Sequence, residues 1–171
     1  LHASELDESR SKESWNETPT VLGNWSTENK GALIVRQLVA FSNFNFKTLN
    51  VSPIDGDIKD FNKRKQDIYL NSDIFLQLSL CEGNSYATLD ALLCGVPIVA
   101  SNVGLFYKDV PEDCFVKVNW QYNGNIEHVK DKLQEAWENR ETLSKNSRDW
   151  YLQNCNFSDW VSKTRNFIGE N

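Results

Sequence analysis

Short apolar runs alternate along this chain with stretches in which apolar residues recur every three or four positions. Thr20 to Gly23, Phe46 to Val51, Ile74 to Leu80, Val96 to Ala100 and Phe115 to Val118 are the short runs, rich in β-branched and aromatic side chains and mostly bounded by Gly, Pro, Asn or Asp. That is the mark of strands. Between them Gly31 to Ser42, about Asp60 to Leu70, and Ser85 to Cys94 carry helical patterns. Later Ile126, Val129, Leu133, Ala136 and Trp137 repeat at helical spacing with charges between them, and further helices are expected through Trp150 and from Phe157 to Ile168. Strands alternating with helices predict βαβ units, hence an α/β, Rossmann-like parallel sheet flanked by helices, with C-terminal helices following. Residues 1–18 are polar and unpatterned and read as a linker or frayed extension, which leaves the folded domain over residues 19–171.

Composition narrows the class. A chain of 171 residues, 40% hydrophobic and 25% charged, is long enough for one core that buries about 70% of its unfolded surface. The net charge of −6 argues against a generic binder of nucleic acid or of anionic membrane, so any phosphate site has to be local. No apolar run approaches the ~18 residues of a membrane span, and the first residues have neither the basic start nor the apolar stretch of a signal peptide. Cys81, Cys94, Cys114 and Cys155 lie far apart with only His2 and His128 to help them, and they read as buried, reduced thiols of a cytoplasmic protein, not as a zinc site. Trp137, Trp150, Trp160, Phe157 and Phe167 read as packing anchors, and His128 as a surface residue. The sequons at Asn16, Asn24, Asn50 and Asn156 read as chance matches, and the absence of any Met reads as a piece of a longer polypeptide.

In such sheets ligands bind at the carboxyl ends of the strands, so the loops after the apolar runs are where chemistry is expected. After Leu80 come Glu82, Gly83, Asn84 and Ser85, then a helix that carries Asp90. Gly83 lets backbone approach a ligand, and Asn84 or Ser85 caps the new helix, leaving amide N–H groups and the positive end of the helix dipole for a phosphate or a sugar hydroxyl. Asp90 then lies roughly 7 to 8 Å along the axis, about the span from a diphosphate to a ribose diol, and a carboxylate accepts two hydroxyls naturally. Gly95 supplies the helix C-cap and Pro97 introduces the next strand. The loop Gly23 to Gly31 follows the first strand and opens the first helix, as a phosphate loop does, with Lys30 near its end. Asp55-Gly56-Asp57 has the D-x-D form of a divalent-metal motif but is also a turn sequence, and it is read as a turn; Asn102 to Leu105 follows the fourth strand near the same crevice.

The run from Glu82 to Ser101 resembles the E-x7-E signature of retaining glycosyltransferases of the GT-B fold, here Glu82-x7-Asp90 followed by Gly95, Pro97 and Ser101. The loop before it is similar to the family's G-R-x5-K-G, with Lys30 and Gly31 in place and Asn24 where the arginine belongs. The resemblance runs from about Thr20 to Ile168 and implies the donor-binding, carboxyl-terminal half of a GT-B enzyme. In its terms Lys30, Gly31 and the amides of Gly83, Asn84 and Ser85 hold the diphosphate with Asn24 beside them, Asp90 holds the ribose, and Glu82 is the catalytic carboxylate that positions the sugar. The implied partners are a nucleotide-diphosphate sugar and an N-terminal acceptor-binding domain of the same longer chain, with no cofactor and no metal. Two departures bear on this. Asp90 is one methylene shorter than the usual Glu, and Asn24 replaces a guanidinium by a neutral amide. The isolated domain is expected to be inactive alone, and a non-catalytic nucleotide-sugar-binding or structural half of a larger glycan-assembly protein is the alternative. A receiver or flavin-binding domain would need its own fingerprint at these strand ends, and none is present.

Overall fold

The computed structural model describes residues 4–50, 58–83, 85–119, 125–155, 161, 162, 165 and 169. The first half of the chain runs β1 (Thr20–Gly23), α1 (Ala32–Phe41), β2 (Asn45–Thr48), α2 (Ile58–Leu70) and β3 (Ile74–Gln77). The second runs α3 (Tyr86–Cys94), β4 (Ile98–Ser101), α4 (Leu105–Lys108), β5 (Val116–Val118), α5 (Ile126–Glu138) and α6 (Arg140–Asn154). The five strands form one sheet in the order β2-β1-β3-β4-β5, and every neighbouring pair is parallel. This is the α/β architecture that the alternating pattern predicts. The helix expected from Phe157 to Ile168 falls largely outside the described residues, and Asp55-Gly56-Asp57 lies wholly outside them.

Strand periodicity builds the two faces. Leu22, Phe75, Ile98 and Ala100 point into a core closed by α2, α3 and α6, whereas Val21, Ile74, Leu76 and Val99 point into a second core closed by α1 and α5. Because both faces are covered, the central strands are buried at every position and their apolar residues run together without alternation. Their ends differ from the sequence expectation for local reasons. β3 stops at Gln77 because the chain then turns, the Leu80 amide donating to the Asn29 carbonyl at 2.8 Å instead of extending a ladder. Val96 is held by the C-cap of α3, its amide donating to the Ala91 carbonyl at 3.0 Å, so β4 starts only at Ile98.

The segment before β1, expected as a linker or frayed extension, lies along the body of the domain in its described part. Leu6 is 5% exposed and joins the core under α3 and α6. Arg148 of α6 donates to the carbonyls of Glu8 (2.5 Å), Arg10 (3.3 Å) and Leu93, stitching the segment to the end of α3. At its far end Lys12 meets Asp73 at 3.0 Å, with side chains only 2% and 0% exposed. Asp73 also accepts from the amides of Asn16 (3.1 Å) and Thr20 (2.8 Å) and from the Asn16 side chain (2.6 Å), so its four acceptor sites are filled. Burial pulls the Lys12 ammonium below its ordinary range, and Asp73 opposes that pull. A polar run can dock in this way when a buried carboxylate collects its donors, which hydrophobic periodicity does not register.

Of the four thiols, all expected to be buried, Cys94, Cys114 and Cys155 are buried, but Cys81 is exposed because it lies in the turn that leaves β3 and not in a core element. Burial pushes Cys94 and Cys114 up to about 12 and Cys155 up to about 11. Since the thiolate is the nucleophile, iodoacetamide at pH 8 should add one adduct to the native chain, at Cys81, and the remaining three only in denaturant. Intact-mass analysis checks this, and rapid native labelling of Cys94 would contradict the packing of α3.

Candidate functional site

The strand order places a topological switch between β1 and β3: the chain leaves β1 to build β2 on one side, then crosses to β3 on the other. The two loops separate there and open a crevice at the carboxyl ends of the strands. A cavity of about 20 Å³ lies in it, lined among others by Asn24 and Lys30 from the first loop, and by Gln77, Ser79, Glu82 and Ser85 from β3 and the turn beyond.

Local sequence explains how the loops meet. Trp25 is buried, its Nε1 donating to the Leu76 carbonyl at 3.2 Å, and this pins the first loop to β3 while leaving Asn24 exposed. A one-turn helix, Glu28–Lys30, then ends at Gly31, whose φ of 83° is left-handed and whose Cβ would stand 2.6 Å from that of Leu78. Only glycine closes the loop on β3 here. The closure carries the Lys30 ammonium to the Glu82 carboxylate, where Oε1 also accepts from the Ser79 hydroxyl at 2.7 Å. The pair is partly open to solvent, with side-chain exposures of 32% for Lys30 and 13% for Glu82. Ser85 caps α3, its Oγ accepting from the Thr88 amide at 3.4 Å. Around Gly83 no described residue stands within 4 Å of where a Cβ would be, so among them the backbone is open on that side. Asn84 lies outside the described residues. Gly104, after β4, packs on the carbonyl of Gly83 with its Cβ position 3.1 Å from the Glu82 Cβ, so the Asn102 to Leu105 loop backs the same turn.

Asn24, Lys30, Glu82 and Ser85 therefore converge, with Gly31 and Gly83 shaping the backbone around them. Asp90 does not join them. It is 3% exposed, where the sequence suggested a ligand-facing carboxylate, because α3 is wedged between α2 and α6 and is buried from Thr88 to Cys94. Its Oδ1 accepts from the Ser4 hydroxyl at 2.5 Å and its Oδ2 faces Lys65 of α2 at 3.0 Å. Burial raises the carboxyl above its usual range, with Lys65 and Ser4 opposing. Sequence reasoning missed Ser4, Lys65, Gln77 and Ser79. For Gln77 there was a signal, a single amide inside the apolar run Ile74 to Leu80.

A larger groove, about 460 Å³, runs between the segment before β1 and α2, but its lining mixes Glu5 and Asp7 with Arg10, Lys59 and Lys63, and Gln66 of its wall already binds that segment. It lies away from the strand ends, and the smaller cavity is where chemistry converges. Among the described residues no cluster of His, Cys, Asp and Glu is arranged to hold a metal ion, and no helix is long and apolar enough to cross a membrane.

Residues 58–150 of this chain match the family of glycosyl transferases group 1. The chain belongs to that family. The matched span includes Glu82, Ser85 and Asp90, while the loop bearing Asn24, Lys30 and Gly31 precedes it. Solved GT-B glycosyltransferases share the fold of this domain. Sucrose-phosphate synthase from Thermosynechococcus elongatus is similar with a TM-score of 0.66 at 16% identity, over 91% of this chain and 47% of that one. A glycosyltransferase from Rickettsia africae gives 0.65 at 14% identity over 91% and 48%, and TarM gives 0.65 at 14% identity over 92% and 36%. The group 1 chain thus spans about half the length of these structures or less. No curated protein matches it in sequence.

Proposed function

We propose that this domain binds a nucleotide-diphosphate sugar at the ends of β1 and β3 and serves a retaining, metal-independent glycosyl transfer. The observation that carries the reading is the meeting of Lys30 and Glu82, brought from two loops to one crevice at the topological switch. Lys30 has three N–H donors and spends one on Glu82, which leaves two for a diphosphate, and the capped start of α3 adds backbone amides on the same side. Gly31 and Gly83 keep side chains out of the way, and the amide of Asn84, next in sequence, is assigned to the diphosphate with them. Glu82, held by Ser79, positions the transferred sugar and supports charge at the reacting carbon. Asp90 takes the ribose when Ser4 lifts from it. Acceptor contacts belong to an N-terminal domain of the same longer chain, so the 171 residues alone are expected to bind donor without transferring it.

A second reading, a non-catalytic half of a glycan-assembly protein, is favoured by one observation: the Asp90 carboxylate is covered. Calorimetry with UDP, ADP and GDP, with and without chelator, tests the first reading, which fails if none binds or if chelator abolishes binding.

Position 24 offers a sharper check. Asn24 is exposed at the rim, with room for a longer side chain. Asn24→Arg should add a charge-assisted contact of about 1.5 to 3 kcal/mol and tighten nucleoside-diphosphate binding roughly tenfold or more. An unchanged Kd in titration calorimetry would remove position 24 from the site.

A further inference from the structure

We propose that Gln77 reads one hydroxyl of the donor sugar and so helps to set which sugars this domain accepts, an inference that rests on the donor-site reading above. Gln77 is 6% exposed and sits at the end of β3, lining the cavity of about 20 Å³. Its Oε1 accepts from the Thr88 hydroxyl, which fixes the orientation of the amide. The Nε2 group donates to no described residue. With its oxygen taken by Thr88 and the residue held at the end of β3, the Nε2 group is an oriented donor presented to the cavity, where an oxygen from outside the chain can accept it.

Glu82 presents the complementary need. Its Oε1 takes both Lys30 and Ser79, and its Oε2 accepts from no described residue. The cavity has room for about one oxygen of the size of a water molecule. A phosphate oxygen only accepts, and next to the Glu82 carboxylate it would be repelled. A hydroxyl both donates and accepts, so a single hydroxyl satisfies Glu82 Oε2 and Gln77 Nε2 together. The phosphates are provided for elsewhere in the crevice, by Lys30 and the start of α3. The ligand group that fits the slot is therefore a sugar hydroxyl.

The test is calorimetry on the 171-residue chain with UDP-glucose, ADP-glucose and GDP-mannose, followed by the 2-, 3-, 4- and 6-deoxy sugars of whichever binds tightest. One deoxy ligand should bind about tenfold more weakly than its parent and the other three should stay near it. The double variant Gln77→Leu with Thr88→Val removes both partners of the buried hydrogen bond while keeping their volume. It should bind the parent nucleotide sugar about tenfold more weakly, bind the sugar-free nucleoside diphosphate as wild type does, and no longer discriminate against the sensitive deoxy ligand. Equal affinity for parent and all four deoxy sugars, or a folded double variant that still discriminates, overturns the role of Gln77 and leaves the donor site standing. Failure of every nucleotide and nucleotide sugar to bind overturns both. Should the double variant not fold, the deoxy series on the wild-type chain decides alone.

Discussion

Replacing Asp73 by Ala should cost about 3 to 5 kcal/mol of stability, one of the largest single losses available in this domain. The substitution leaves the Lys12 ammonium 2% exposed with no counter-charge, and strips the amides of Asn16 and Thr20 of their acceptor at the entry to β1. For a domain of this size the melting temperature should drop by about 10 °C. Exchanging both charges, Lys12→Met with Asp73→Asn, should recover much of the loss, because the buried charge disappears and an amide oxygen remains for Thr20. Circular-dichroism melts of the single and double variants decide it. A single variant within about 1 kcal/mol of wild type would mean that residues 4–16 do not pack as described.

Lys30→Ala should lower affinity for UDP, ADP or GDP by about tenfold or more, with little change in stability, since the ion pair it breaks is part-exposed. Loss of a charged contact has a signature that loss of shape lacks: the effect should shrink as salt is added and be absent for the uncharged nucleoside. Glu82→Gln should act in the opposite sense on the bare nucleoside diphosphate, because it frees the third donor of Lys30 and removes a nearby negative charge. Calorimetric titrations at two salt concentrations separate these effects. If Lys30→Ala leaves the diphosphate affinity untouched, the loop at Gly23 to Gly31 only closes the sheet end.

The fold was legible because apolar periodicity is a local record of burial on a sheet or a helix face. Thr20 to Gly23 is β1 to the residue, and α3 differs from Ser85 to Cys94 only by its cap. What escaped was burial of polar groups through long-range pairing. Leu6 and Lys12 sit in a polar stretch with no period, and their reasons for being inside, the core under α3 and the carboxylate of Asp73, lie more than sixty positions away. Asp90 illustrates the same limit within a helix. Its neighbours Leu89, Ala91, Leu92 and Leu93 have no polar face between them, a pattern that marks a helix buried on all sides and an acid buried with it. Of the site, the loop glycines, Lys30 and Glu82 could be read from motif spacing, and Gln77 stood out as an amide in an apolar run, but its partner Thr88 is met only when β3 and α3 are in contact.

The hydroxyl of Ser4 does to Asp90 what a ribose hydroxyl would do. A ligand that reaches this carboxylate has first to find it vacated, so its measured affinity is the intrinsic one multiplied by the fraction of molecules in which residues 4–6 have lifted away. If that fraction is about one in a hundred, a well-formed ribose contact registers about a hundredfold weaker than its geometry warrants. On the proposed donor-site reading, sequence changes near Ser4 would then tune nucleotide affinity without touching the nucleotide, and the Asp90 carboxylate would keep its chemistry while its availability is adjusted from the segment before β1.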